Sequence, residues 1–193
     1  AERLGSYARA LHPVTTAESI AQTLQRAEEH SRAMAALFVT AADSADQLSA
    51  AANALTADHP DRLVSLVDII KQIDQLAGDA SADDALTLLS VSAAMRADGL
   101  GMGDIHFRVN SAQLLNAIRR RIDPDNQLDL ASGTALKRLR DLIDNAQPLR
   151  SNFAALAIES TTAVRQFLAM AQILHHIDSD TPIRMLIAEC EEP

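Results

Sequence analysis

The sequence predicts a mostly helical protein with two parallel β-strands, in an α/β layout of the barrel or doubly wound type. Most of the 193 residues belong to Ala- and Leu-rich segments whose apolar residues recur three and four positions apart, which is typical of amphipathic helices. One short segment instead alternates apolar and polar residues, as strands do, and a short apolar run that follows the turn "DSDTP" is predicted as a second strand. A long, mostly helical segment separates them, so they cannot form a hairpin. We therefore expect them to be parallel neighbours with a helical crossover.

The chain divides into a helical region at residues 1–98 and a partial barrel portion at 99–193. A short first helix ends at His12-Pro13, because the residue before a proline is pushed out of the helical conformation. Asp61 is expected to cap the helix that starts at Arg62, and Gly78 to stop it. The helices predicted in this region after the first span about 16–40, 44–57, 62–76 and 83–98.

The pattern changes at "GLGMGDIHFRVNS", residues 99–111. Apolar residues alternate with His106 and Arg108, which predicts a strand at about 104–109. This strand leads directly into a helix that Asn110 or Ser111 can cap. The elements predicted after it are helices at about 110–122, 132–145 and 148–177 and a second strand at about 183–189.

Charge and composition exclude several classes of protein. The net charge of −9 argues against nucleic acid as a partner, because phosphate binding needs a positive face. The single cysteine, Cys190, cannot form an internal disulfide. We find no apolar run long enough to span a membrane and no signal peptide, so we expect a cytoplasmic protein without a membrane partner. Both ends look cut, which predicts a fragment of a longer chain.

Arg108 is the strongest candidate for a functional residue. It lies just before the predicted end of the first strand, and His106 shares its face because side chains alternate along a strand. A guanidinium held there can bind a carboxylate or a phosphate through paired hydrogen bonds. The alternative is that Arg108 forms an ion pair with an acidic neighbour.

Three other motifs give weaker signals. The glycines of "GLGMG" precede a strand instead of following one, so a dinucleotide-binding loop is not predicted. The "HHIDSD" segment is better explained as a helix end than as a metal site, because adjacent histidines point apart on a helix. The acidic "AECEEP" segment could supply a base or a metal ligand at the end of a strand, or be a solvated edge. The candidate side chains of the last two motifs are His175, His176, Asp178, Asp180, Glu189, Cys190, Glu191 and Glu192.

The two predicted strand segments also carry a resemblance to a known family. "GMGDIHFRVNSAQLLNAIRR" and "DTPIRMLIAECEEP" resemble parts of phosphoenolpyruvate carboxylase, particularly of a divergent bacterial branch. In the commoner branch the first stretch reads Leu-Asp-Ile-Arg-Gln-Glu-Ser, with an active-site arginine at the strand end. Arg108 matches that arginine and Ser111 matches the serine, whereas Val109 and Asn110 replace Gln-Glu.

The resemblance implies a TIM-type barrel that is incomplete in this chain, and a lyase that fixes carbon dioxide. Such an enzyme carboxylates phosphoenolpyruvate with bicarbonate to give oxaloacetate and phosphate. It uses Mg²⁺ or Mn²⁺ in the full-length protein, which is expected to be a homo-oligomer. Arg108 and His106 would then bind substrate.

The family's catalytic histidine and metal ligands are expected outside this chain. We therefore expect the fragment to bind no metal and to have no activity by itself. The alternative is a non-catalytic helical interaction or oligomerisation domain, in which the strands are only edge pieces.

Overall fold

The computed structural model describes residues 1–40, 44–101, 103–147 and 155–190. It is mostly helical with two parallel strands, as the sequence predicts. Two strands do not define a barrel, so barrel closure stays a prediction. Within the described ranges, no helix is both long and apolar enough to cross a bilayer.

The chain forms two compact units. The first unit comprises Ala1–Ile105 together with Gln172–Pro182. The second comprises His106–Ala171 and the described residues from Ile183 onwards. The sequence places a boundary at 98/99 and does not predict that Gln172–Pro182 returns to the first unit.

Helices build the first unit around an aliphatic core. Tyr7 is its one buried aromatic ring, and its hydroxyl donates to the Gly99 carbonyl oxygen at 2.8 Å. Gly99 ends the last of these helices with a φ of +53°, a conformation that glycine adopts at no steric cost. The helices are α1 (Glu2–Leu11), α2 (Glu18–Thr40), α3 (Ala45–Thr56), α4 (Val67–Asp79) and α5 (Ala82–Asp98). The largest fully buried side chains of this core are those of Leu11, Leu24, Leu66, Ile73, Leu88 and Met95.

The start of α4 differs from the sequence prediction. The helix begins at Val67 and not at Arg62, and its N-cap residue, Leu66, makes no side-chain cap bond. A residue distant in sequence instead bonds the N–H group and the hydroxyl that precede the helix. Asp180 accepts a hydrogen bond from the Leu66 N–H at 2.7 Å and one from the Ser65 hydroxyl at 2.8 Å. Asp61, the predicted cap, instead pairs with Arg26 at 3.2 Å. Gly78 does not stop the helix, since α4 continues to Asp79, three residues beyond the predicted end at 76.

The second unit contains the sheet. Its elements are β1 (Ile105–Asn110), α6 (Ser111–Ile122), α7 (Gly133–Asp144), α8 (Ala155–Ile158), most of α9 (Thr162–His176) and β2 (Ile183–Ala188). The prediction of one continuous helix over 148–177 is wrong, because two helices, α8 and α9, are separated at residues 159–161. The predicted start at Pro148 lies outside the described residues. The chain leaves the helical conformation at residues 159–161, where the Glu159 carboxylate accepts a hydrogen bond from the Thr161 N–H at 2.6 Å. Such a local bond competes with helix continuation.

The register of the two strands determines which side chains share a face. The Ile105 N–H donates to the Pro182 carbonyl at 3.1 Å. In a parallel pair this bond places His106 beside Arg184, and Arg108 beside Leu186. These four side chains are exposed, whereas Val109 on the opposite face is only 2% exposed. One face of the sheet is therefore covered and the other is open.

Candidate functional site

The open face of the sheet carries the two residues that the sequence singles out. His106 and Arg108 are both exposed on β1, as the alternation predicts. The backbone carbonyl of Arg108 accepts a hydrogen bond from the Gln166 side chain at 2.5 Å, which ties the strand to α9. None of the ion pairs within the described ranges includes Arg108, so its guanidinium is available to an anion.

A polar network links the ends of the two strands at the carboxyl edge of the sheet. The Ser111 hydroxyl donates to the Glu189 carbonyl at 2.5 Å, and the Asn110 side-chain amide donates to the Glu189 carboxylate. The other end of the Asn110 amide accepts from the Ala112 N–H at 2.8 Å and so caps α6. Glu189 has a φ of +57°, which is unusual for a residue other than glycine, and this network holds it there.

A cavity of about 640 Å³ lies beside this edge. Leu114 and Leu115 of α6 supply apolar wall, and Ser111, Glu189 and Cys190 supply polar groups. The cavity is therefore large enough for a small metabolite and has a carboxylate and a thiol at one end. Arg108 does not line it, because the side chain lies on the open face of the sheet.

Arg119 adds a cation to the wall of the same cavity. Its guanidinium donates to the Asp123 carboxylate and to the Leu128 carbonyl, both at 3.0 Å. Burial raises the pKa of Asp123. The hydrogen bonds from the N–H groups of Gln127 and Leu128, together with the Arg119 charge, lower it by more than burial raises it. The pKa therefore lies below its ordinary value. Asp123 thus stays ionised and fixes Arg119 in place.

The "HHIDSD" segment has structural roles in the first unit. Asp180 caps α4, as described above, and Asp178 is only 2% exposed. Burial raises the pKa of Asp178 above its ordinary value. Among the residues that the structure describes, no three His, Cys, Asp or Glu side chains are grouped so that they could hold a metal ion.

The edge network was only partly visible in the sequence. Asn110 and Ser111 were recognised as capping residues, and Glu189 as an acidic residue at a strand end. Their mutual contact depends on the register of two strands that are far apart along the chain, and no local pattern encodes it. Glu191 and Glu192 lie outside the described residues.

Comparison with known proteins identifies no relative of this chain. No protein-family model, no curated protein and no solved structure matches it. The features that bear on its function are therefore the sheet and the sequence resemblance.

Proposed function

We propose that this chain is part of a lyase of the phosphoenolpyruvate carboxylase type. Such an enzyme adds bicarbonate to phosphoenolpyruvate and produces oxaloacetate and phosphate. The observation that carries the proposal is the pairing of β1 and β2. The two segments that resemble the family form these two strands, which lie side by side and parallel, and end at one edge. In α/β enzymes such an edge is where active sites form.

The two faces of the sheet also support this proposal. In an α/β barrel, helices cover the outer face of each strand and the other face points into the barrel. Val109 lies on the covered face, and Arg108 lies on the open one, two residues before the strand ends. In a completed barrel Arg108 would thus point inwards, close to the carboxyl edge.

Arg108 is assigned the role of binding substrate. Phosphoenolpyruvate carries a phosphate and a carboxylate, and a guanidinium binds either group through two parallel hydrogen bonds. His106 lies on the same face and can donate a further hydrogen bond.

The metal and the catalytic histidine are not assigned to this chain. The described residues offer no suitable group of metal ligands, so no step is attributed to a metal here. The proposal places these groups in other parts of a longer protein. The 193-residue chain, purified free of host enzyme, is therefore expected not to form oxaloacetate.

The experiment compares Arg108→Ala with Arg121→Ala in the longer protein. Arg121 is an exposed arginine of α6 and serves as the matched control. Loss of a charge-assisted contact to the reacting anion is expected to lower kcat/KM for phosphoenolpyruvate by about 10²-fold or more. The control is expected to stay within about twofold of wild type. A folded and fully active Arg108→Ala variant would remove Arg108 from the site.

A second candidate function is a helical interaction or oligomerisation domain. The observation that favours it is the exposure of large apolar side chains. Leu86 is 69% exposed on α5, and Ile143 is 71% exposed on α7. Light scattering on wild type and on Leu86→Lys and Ile143→Lys variants tests it, since loss of a defined oligomer would support this function. A wild-type chain that is monomeric at high concentration would contradict it.

A further inference from the structure

A second cavity, of about 290 Å³, lies in the first unit and has no part in the function proposed above. Its walls are mainly apolar, and three basic side chains, those of His30, Arg62 and His176, reach into it. No aspartate or glutamate is among the described side chains that line it, although the chain has 26 acidic residues against 17 basic ones. The apolar lining residues include Leu4, Met34, Phe38, Leu63, Leu100 and Ile177.

Arg62 provides a cation in a fixed position. Its Nη1 donates to the Leu55 carbonyl at 3.0 Å and to the Ala57 carbonyl at 2.7 Å. Its ion-pair partner, Asp58, is fully exposed to solvent, while the Arg62 side chain is only 16% exposed. Solvent weakens the attraction between such a pair, so much of the Arg62 charge stays available to a ligand in the cavity.

His176 lines the same cavity. Its Nδ1 is buried and has no partner within the described part of the chain, so a ligand would contact the accessible part of the ring. Burial lowers the pKa of His176, and the charges of Arg62 and His175 lower it further, against an opposing effect of Asp58.

His30 lies on the same cavity and is stacked on His59, with ring centroids 4.1 Å apart. Burial lowers the pKa of His30, as do His59 and Arg62, and Asp61 acts in the opposite direction. The Nδ1 atom of His59 accepts a hydrogen bond from the Asp61 N–H at 3.2 Å.

We propose that this cavity binds a small monocarboxylate with a short aliphatic chain. The apolar walls would bury the chain, and Arg62, His30 and His176 would face the carboxylate. A ring N–H of His176 would donate to a carboxylate oxygen. The volume is close to the lower end of known small-molecule sites, so it suits a short chain and not a long fatty acid.

Binding is coupled to protonation. An anion beside His30 and His176 favours their protonated forms and raises their pKa values from the lowered values of the empty site. The protein therefore takes up protons when the ligand binds. The added affinity is fully present below the pKa of the empty site and is lost as pH rises through the pKa of the occupied site.

Hexanoate is the probe, titrated by calorimetry into the whole 193-residue chain at pH 6 and pH 8. We expect the Kd to be at least about fivefold lower at pH 6, with proton uptake detected in buffers of different ionisation enthalpy. Hexanol and inorganic phosphate are the control ligands, because each keeps only one part of the recognised molecule. Hexanol binding as tight as hexanoate binding, or phosphate competing with hexanoate, would overturn the proposal.

A pair of variants locates the site. His176→Gln is expected to raise the Kd for hexanoate at pH 6 at least about fivefold and to remove most of the pH dependence. His175→Gln changes the neighbouring exposed histidine, which does not line the cavity, and is expected to bind like wild type. Unchanged binding by a folded His176→Gln variant would contradict the proposal. NMR titration of the wild-type histidines gives an independent result, since hexanoate must raise the pKa of His176. The absence of such a rise would also contradict it.

Discussion

Replacing Asp180 by alanine is expected to destabilise the first unit by about 2 kcal/mol. The side chain accepts hydrogen bonds from the Leu66 N–H and the Ser65 hydroxyl at the start of α4. Both bonds end on a charged carboxylate, and losing a hydrogen bond to a charged group costs about 1.5–3 kcal/mol. Leu66 is 1% exposed, so water replaces the lost partner of its N–H poorly. A loss of about 2 kcal/mol is roughly a 30-fold change in the unfolding equilibrium.

Urea denaturation at pH 7, followed by circular dichroism, measures this effect. Asp79→Ala is the matched control, because Asp79 is an exposed aspartate at the other end of the same helix. A negative charge at a helix C-terminus is unfavourable, so the control is expected to be neutral or slightly stabilising. If Asp180→Ala were no less stable than Asp79→Ala, the assignment of Asp180 as the cap of α4 would be wrong.

Two further predictions concern buried titratable groups. Tyr7→Phe removes the hydrogen bond to the Gly99 carbonyl and should lower the free energy of unfolding by about 1 kcal/mol in the same assay. Burial, and then Asp98, raise the pKa of Tyr7, the only tyrosine of the chain, so tyrosinate absorbance should appear above pH 10 while the protein stays folded. A titration at the ordinary tyrosine pKa would contradict this burial. Burial also raises the pKa of Asp178, and a raised pKa in the folded state means that stability is lost as pH rises through it. The free energy of unfolding of Asp178→Asn, measured relative to wild type in urea titrations, should therefore be higher at pH 7 than at pH 4. An equal difference at both pH values would refute this.

The parts of the fold that the sequence predicts well are those that a local pattern encodes. The strand predicted at 104–109 is observed at Ile105–Asn110, because alternation needs only adjacent residues. The second helix, predicted from residue 16 to 40, is observed as α2 after a short 3₁₀ turn at Thr15–Ala17. The buried apolar residues of α2 recur three and four positions apart over successive turns, which is a pattern that the local sequence shows.

The errors have two causes, a distant contact and a local one. At the start of α4 the Leu66 N–H bonds to Asp180, which is far away in sequence, whereas the local pattern points to Asp61 as the cap. The break after α8 is local, since the Glu159 carboxylate bonds the Thr161 N–H two residues on, and the apolar periodicity does not reveal this bond.

The candidate sites follow the same division. Alternation alone places His106 and Arg108 on one face of β1, and both are observed there. The contact of Asn110 and Ser111 with Glu189 requires the strand register. The first-unit cavity combines His30 of α2 with His176 of α9, and no spacing rule connects residues so far apart.

The central claim is that this chain belongs to a carboxylating lyase. The most direct measurement supplies ¹³C-bicarbonate, phosphoenolpyruvate and Mg²⁺ to the longer protein that the proposed function requires, and follows both products. We predict label in the new carboxylate of oxaloacetate, with phosphate released in equal amount. Phosphate release without label, or no oxaloacetate from the folded wild-type protein, would contradict the proposed function.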